Sequence, residues 1–151
     1  MSKPKQFITD DFPLDTETAR ELYHEYAAKM PIIDYHCHVS PKDIALDVKL
    51  DSITQAWLGG DHYKWRLMRS CGVEEKYITG DGSNEDKFCK FAESLPHAIG
   101  NPVYHWAHLE LRRYFDCDLI LCPENAEKIR KIHFPVYLFG VSLIPVFPKF
   151  H

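Results

Sequence analysis

One short β-like run stands among segments that otherwise read as helix, and this constrains the fold more than anything else in the chain. Residues 32–39, "IIDYHCHV", follow a helix-stopping proline and precede Pro41. Their side chains alternate, with Ile33, Tyr35, Cys37 and Val39 on one side and Ile32, Asp34, His36 and His38 on the other. Pro41 is expected to end the pairing. A lone strand leaves its backbone donors and acceptors without partners, so a chain with this pattern needs strands from elsewhere to complete a sheet.

The surrounding sequence predicts five or six helices. Residues 16–30, "TETARELYHEYAAKM", put Ala19, Leu22, Tyr23, Tyr26, Ala27 and Met30 on one helical face, with Asp15 or Thr18 as the cap and Pro31 as the stop. A short helical segment near 52–58 runs into Gly59-Gly60, and Asp61 caps a helix from His62 to about Ser70 that Cys71-Gly72 closes. Ser83 with Asp86 opens "NEDKFCKFAESL", whose stripe is Phe88, Phe91, Ala92 and Leu95, and Pro96 ends it. Asn101-Pro102 starts "VYHWAHLELRRYF", a capping side chain followed by proline at the first helical position. Pro123 opens a further helix through "ENAEKIRK". The last stretch, residues 132–151, is an atypical apolar tail broken by Pro135, Pro145 and Pro148, shorter than the roughly 20 uninterrupted residues of a membrane span.

Composition excludes some partners. Lys+Arg 18 against Asp+Glu 22 leaves a formal charge of −4 with no basic stripe, which argues against nucleic acid. The N-terminus has no apolar core of a secretory signal, and five cysteines without a CxxC pattern suit reduced thiols in a cytoplasm, each expected as a small buried hydrophobe. A cytoplasmic protein without a membrane partner is the expectation.

Two stretches carry chemistry. On a strand, His36 and His38 would face one way, their Cα atoms about 6.5–7 Å apart at a rise of ~3.3 Å per residue, so both rings could meet one divalent metal, Zn2+ by its taste for imidazole. The alternative is a pair of hydrogen-bonded, half-buried histidines. His62, His97, His105, His108 and Asp43 are the candidates for further ligands; His105 and His108 lack the spacing of HExxH and read as surface or core residues. The second stretch is "GGDHYKWRLMR", residues 59–69. Its helix N-terminus suits an anion, and His62, Arg66 and Arg69 fall at i, i+4 and i+7 as a cationic stripe. Imidazole, phenol and guanidinium are donors suited to a sugar acid; the alternative is a solvated basic face beside buried Trp65 and Met68.

"DYHCHVSP", "GGDHYKWRLMRSCGV" and "NPVYHWAHLELRRYF", in that order, resemble the N-terminal part of the uronate isomerase (glucuronate isomerase) family, of the amidohydrolase superfamily. The resemblance covers about residues 5–131 and implies an α/β fold. This chain would be the first strand of a metal-dependent TIM barrel plus a helical insertion at about 43–115, mostly helical as it stands. It implies that His36 and His38 are metal ligands and that His62 and Tyr63 line the uronate pocket with catalytic roles; Arg66, from the cationic stripe, is the further substrate-binding candidate. The implied reaction is reversible aldose–ketose isomerisation, D-glucuronate to D-fructuronate and D-galacturonate to D-tagaturonate, in an enzyme that can form a homo-oligomer. A (β/α)8 barrel needs about 250 residues. The superfamily's late-strand Asp and the pocket arginines have no counterpart here, so the chain by itself is expected to be inactive. The competing readings are a metal-dependent hydrolase of the same superfamily and a non-enzymatic helical binding module.

Overall fold

The structure is a computed structural model that describes residues 6–31, 33, 36, 38, 40–46, 48–132 and 136–137. They fall into two compact units, one within residues 1–37 and the other within 38–144.

In the first unit, α1 (Glu17–Glu21) passes into a wider π-type turn over Leu22–Tyr26 and a tighter one over Ala27–Lys29. The cap is Thr16, not Asp15 or Thr18. Its extended backbone lets the hydroxyl accept from the Ala19 N–H at 3.0 Å, three residues on, where an N-cap oxygen reaches. Arg20 Nη1 donates to Leu14 O at 2.9 Å, and His24 Nε2 meets Asp11 Oδ1 at 2.8 Å, tying the helix to the segment before it. The expected apolar stripe does not become a core face. Leu22, Tyr23, Tyr26 and Met30 are exposed. Of the strand expected over 32–39, Ile32, Asp34, Tyr35, Cys37 and Val39 lie outside the described residues; Ile33 and His36 are exposed.

The second unit is helical around one core. Pro41 does not merely end a strand; it is the first residue of α2 (Pro41–Ala45), where its fixed φ and missing N–H suit a helix start. Then come β1 (Lys49–Leu50), α3 (Ile53–Leu58), α4 (His62–Ser70), a single turn at Glu75–Tyr77, and α5 (Asn84–Ser94). A tight turn over Leu95–Ala98 extends α5, and α6 (Pro102–Phe115) and α7 (Pro123–Arg130) follow. β1 pairs antiparallel with β2 (Val136–Tyr137), Lys49 opposite Tyr137 and Leu50 opposite Val136. No described helix is long and apolar enough to cross a membrane.

The starts expected for α3–α7 are found, because each is local chemistry; Pro96, expected to end α5, instead lies inside the tight turn Leu95–Ala98 that continues it, near a turn start where its missing N–H costs little. The Ser52, Asp61, Ser83 and Asn101 side chains accept from backbone N–H groups of the turns they open. α4 closes when Gly72, at φ 77°, lets its own N–H reach Arg69 O (3.0 Å) and that of Val73 reach Met68 O (3.1 Å). α6 stops at Asp116, whose left-handed φ of 47° turns the chain so that Cys117 N–H returns to Leu111 O at 3.1 Å.

α5 is the centre of the packing, against α3, α4 and α7. Its Phe88 and Phe91 are fully buried, and Trp57 of α3 lies against both, at centroid distances of 6.2 Å and 5.9 Å. Met68, Ile78, Leu95, Leu111, Leu121 and Ile129 complete the interior. Each buried phenylalanine represents about 3–5 kcal/mol against alanine, so this core is ample to hold the α3–α4 corner in place. Cys71, Cys89, Cys117 and Cys122 are free thiols; Cys117 is buried as expected, whereas Cys89 and Cys122 are half-buried and Cys71, at the C-cap of α4, is exposed.

Candidate functional site

The corner between α3 and α4 is built around Gly59. Its N–H donates to Gln55 O at 3.0 Å, and an added Cβ would sit 2.4 Å from that oxygen. The approach of two backbones, rather than an unusual φ, is what requires glycine here. Trp65 Nε1 donates to Leu58 O at 2.8 Å and fastens the first helix end to the second helix.

Asp61 then organises the start of α4. Its Oδ1 accepts from Tyr63 N (2.9 Å) and Lys64 N (3.4 Å), and its Oδ2 accepts from Lys64 Nζ (2.6 Å). Burial alone would raise this carboxyl; the Lys64 ammonium and the two backbone donors outweigh it and hold Asp61 below the ordinary carboxylate range. The expectation that this helix N-terminus offers bare N–H groups to an anion is corrected, because the protein's own carboxylate occupies them. Recognition at this corner falls to side chains.

Those side chains cluster. The His38 ring stacks on His62 at 4.4 Å between centroids (29° between planes) and lies 5.4 Å from Tyr63 (12°). His62 and Tyr63 are 4.9 Å apart, and the Arg66 guanidinium lies over the Tyr63 ring at 5.1 Å. Tyr63 and Arg66 are exposed and His62 is half-buried, so a phenol, an imidazole and a guanidinium are presented together. Arg69 does not extend the expected cationic stripe. Its Nε and Nη2 donate to Glu75 at 2.9 and 2.5 Å, and those bonds, with one from Thr79, pull the Glu75 carboxyl down to about 2.

Two functional candidates went unremarked in the sequence reading. Trp106 of α6 is exposed and meets the Tyr63 ring edge-on at 6.3 Å. Glu110, one turn further along α6, lines a cavity of about 490 Å3 with His38, Ser40, Asp43, Gln55, Trp57, Asp61 and Lys64. Burial pushes the Glu110 carboxyl up, opposed by the Lys64 charge and assisted by that of Asp61. Both residues sit off the buried stripe Val103, Tyr104, Ala107, His108 and Leu111, which is the only signal that marks them.

The other histidines take structural or surface places. His108 is 3% exposed, with Nδ1 2.7 Å from Tyr104 O and Nε2 accepting Leu121 N–H at 3.0 Å. That pairing places the proton on Nδ1 and leaves neither nitrogen for a metal. His97 is exposed and His105 half-buried.

For a metal, the donor types suit but the set is partial. Among the described residues no three His, Cys, Asp or Glu side chains gather to hold an ion. His36 belongs to the first unit and His38 to the second, so their pairing on one ion is carried by their spacing in the sequence. His62 stacks face to face on His38.

This helical unit presents histidine, tyrosine and arginine from one corner, side chains whose donors suit a polar, anionic small molecule. The comparisons carry this further. The glucuronate isomerase family model matches residues 4–133, and the chain belongs to that family. It is similar to the uronate isomerase of Lachnospira eligens, 62% identical over 125 residues that are 83% of this chain and 27% of that protein. It is also similar to the uronate isomerase of Lachnoclostridium phytofermentans, 61% identical over 128 residues, 85% of this chain and 28% of that protein. A crystal structure of uronate isomerase from Thermotoga maritima superposes with a TM-score of 0.78 at 38% identity, covering 84% of this chain and 28% of that one. The chain thus spans little more than a quarter of the length of these relatives.

Proposed function

We propose that this segment supplies one wall of the sugar-acid site of a uronate isomerase, which interconverts D-glucuronate with D-fructuronate and D-galacturonate with D-tagaturonate. The observation that carries the reading is the His38–His62–Tyr63 stack with Arg66 beside it, at the corner Asp61 caps. In a chain of family length the segment would belong to a TIM barrel, residues about 43–115 forming its helical insertion. His36 and His38 would supply two ligands to a divalent metal, Zn2+ by donor type. When bound, such an ion would supply Lewis acidity to orient and polarise substrate oxygens.

The isomerisation moves hydrogen between C1 and C2 of the open-chain sugar. A base removes the C2 proton, and donors hold the oxygen on which charge develops in the enediol-like transition state. Tyr63 is exposed on this face and offers its phenolic O–H to that oxygen. His62, half-buried beside it, accepts or returns a proton between the two oxygens. Arg66 offers its guanidinium fork to the substrate carboxylate, and the cation over the ring keeps both groups on one face. In a family-length enzyme carrying this segment, Tyr63→Phe is expected to lower kcat/KM for glucuronate by about 10–100-fold, the scale of one lost oxyanion donor or a little less. Unchanged kcat/KM would remove the hydroxyl from the chemistry.

A further inference from the structure

Trp106 is 45% exposed, although Val103, Tyr104, Ala107 and Leu111 around it on α6 fill the interior. A single exposed apolar side chain needs no explanation by itself. What singles this one out is its neighbour. The indole stands at 79° to the Tyr63 ring with centroids 6.3 Å apart, within the range of an edge-to-face aromatic pair. The two rings come from different helices, so the contact joins α6 to the first turn of α4.

The two partners are not equally fixed. α4 and α6 both pack against the Leu95–Ala98 turn. α6 is also fastened at its start, where Asn101 Oδ1 accepts from Val103 N at 2.9 Å and Pro102 takes the first helical position. Trp106 lies one turn beyond that cap, on backbone seated by buried neighbours. Tyr63 extends from the opening turn of α4 with 42% of its surface exposed, so its ring relies on side-chain contacts.

Those contacts, apart from Trp106, leave one motion soft. The His38 and His62 rings lie nearly parallel to the phenol, at 12° and 25°, and the Arg66 guanidinium lies over it at 5.1 Å from the centroid. Offset-stacked rings are favourable over a range of offsets, so parallel neighbours let the phenol slide along its own plane. A ring set close to the perpendicular has its soft direction elsewhere and opposes that slide. The hydroxyl sits at the far end of the phenol, where a small rotation gives the largest displacement.

We propose that Trp106 is a positioning residue: its indole, set across the Tyr63 ring, holds the phenolic O–H toward the substrate oxygen on which charge develops. This rests on the uronate isomerase reading for what Tyr63 acts upon. Trp106 acts through the tyrosine and not on the sugar.

The test uses a family-length enzyme carrying this segment and crosses two substitutions. Trp106→Leu removes the indole, Trp106→Phe keeps an aromatic ring in its place, and Tyr63→Phe removes the hydroxyl. Trp106→Leu is expected to lower kcat on glucuronate about tenfold with KM changed less than about threefold, the scale of a misplaced reacting group. Trp106→Phe is expected to recover most of the rate. In the Tyr63→Phe background the leucine substitution should cost less than about twofold, because a hydroxyl that is gone cannot be misplaced. Additive losses overturn the proposal, as does a raised KM at unchanged kcat, which would put the indole on the sugar. Should Trp106→Leu fail to fold, Trp106→Met takes its place in the cycle. The 19F line of Tyr63 after 3-fluorotyrosine incorporation, assigned by its loss in Tyr63→Phe, reads the restraint without turnover. Removing the indole should narrow that line as the ring gains freedom. If Tyr63→Phe is as active as the wild type, the functional reading fails by itself. The line then decides alone, and an unchanged width overturns the positioning role.

Discussion

Gly59 and Gly60 are adjacent and chemically identical, yet alanine at the two positions is expected to act in opposite directions. At Gly59 the new Cβ meets Gln55 O at 2.4 Å, and real Cβ atoms keep at least 3.0 Å from such a neighbour. The gap can open only by moving backbone, because the obstructing atom is a carbonyl of α3 that also accepts the Gly59 N–H. Overpacking of this kind costs about 1–3 kcal/mol. Against it stands the reduced freedom of the unfolded chain, worth about 0.4–1 kcal/mol, leaving a net loss of about 1–2 kcal/mol. At Gly60 nothing lies within 4 Å and φ is not left-handed, so only the entropic gain remains. The two variants should therefore differ by about 2 kcal/mol, or roughly 4–8 °C in Tm for a chain this long. Urea titration of the chain, followed by fluorescence of Trp57, Trp65 and Trp106, measures the difference. The shift has a functional side too, since the displaced segment leads straight to Asp61 and Tyr63. In a family-length enzyme Gly59→Ala should reduce kcat/KM by about tenfold while Gly60→Ala leaves it within twofold, by the sensitivity of positioned groups to sub-ångström error. A Gly59→Ala midpoint equal to or above that of Gly60→Ala would refute the close-approach argument.

The Asp61 cap should separate into two parts. Asp61→Asn keeps a cap oxygen but abandons the Lys64 ammonium, whereas Asp61→Ala loses both, so losses of about 1–2 and about 3 kcal/mol are expected in urea titrations; equal losses would mean the ammonium finds its partner elsewhere. His108 should make stability pH-dependent. Burial holds its pKa below 6.5, opposed by the Tyr104 carbonyl and assisted by His105, and protonating Nε2 would also break the bond from Leu121 N–H. A histidine with a depressed folded-state pKa contributes its full stability above about pH 6.5 and loses it as pH falls through the folded value. The urea midpoint should thus drop between pH 7.5 and 5.5, and His108→Asn, which offers a donor near the Nδ1 position, should flatten that slope; parallel slopes would assign the effect to other groups.

What the sequence made legible was whatever depends on neighbours within four or five residues. Asp61, Ser83 and Asn101-Pro102 announce helix starts because a side-chain oxygen reaches an N–H two or three residues on, and Gly72 announces a stop because the left-handed turn needs it. The same logic applied at the wrong residue put the cap of α1 at Asp15 or Thr18; Thr16 had the same chemistry and differed only in backbone angle. Burial was less legible. A stripe of Leu22, Tyr23, Tyr26 and Met30 predicts an apolar face and says nothing of what will cover it, and here it is exposed.

At the site, the residues on α4 could be found from the motif, but their partners could not. Arg69 matched the cationic stripe by spacing and was taken out of it by Glu75, six residues on and outside the helix. Lys64 went unremarked in the sequence, yet it is buried and its ammonium pairs with the Asp61 cap three residues before it. The proximity of His38 to His62 and Tyr63 was expected from family resemblance, because spacing alone offered no path from residue 38 to the α3–α4 corner. Trp106 and Glu110 expose the general reason. Periodicity detects the face of a helix that water leaves, and α6 is read correctly by it through Val103, Tyr104, Ala107, His108 and Leu111. Residues that serve a site stand beside that face, where the pattern treats them as surface. A large aromatic and a carboxylate four apart on a nominally solvated flank are worth testing for that reason: neither lowers the free energy of an isolated helix much, so their placement is better explained by what another helix presents to them.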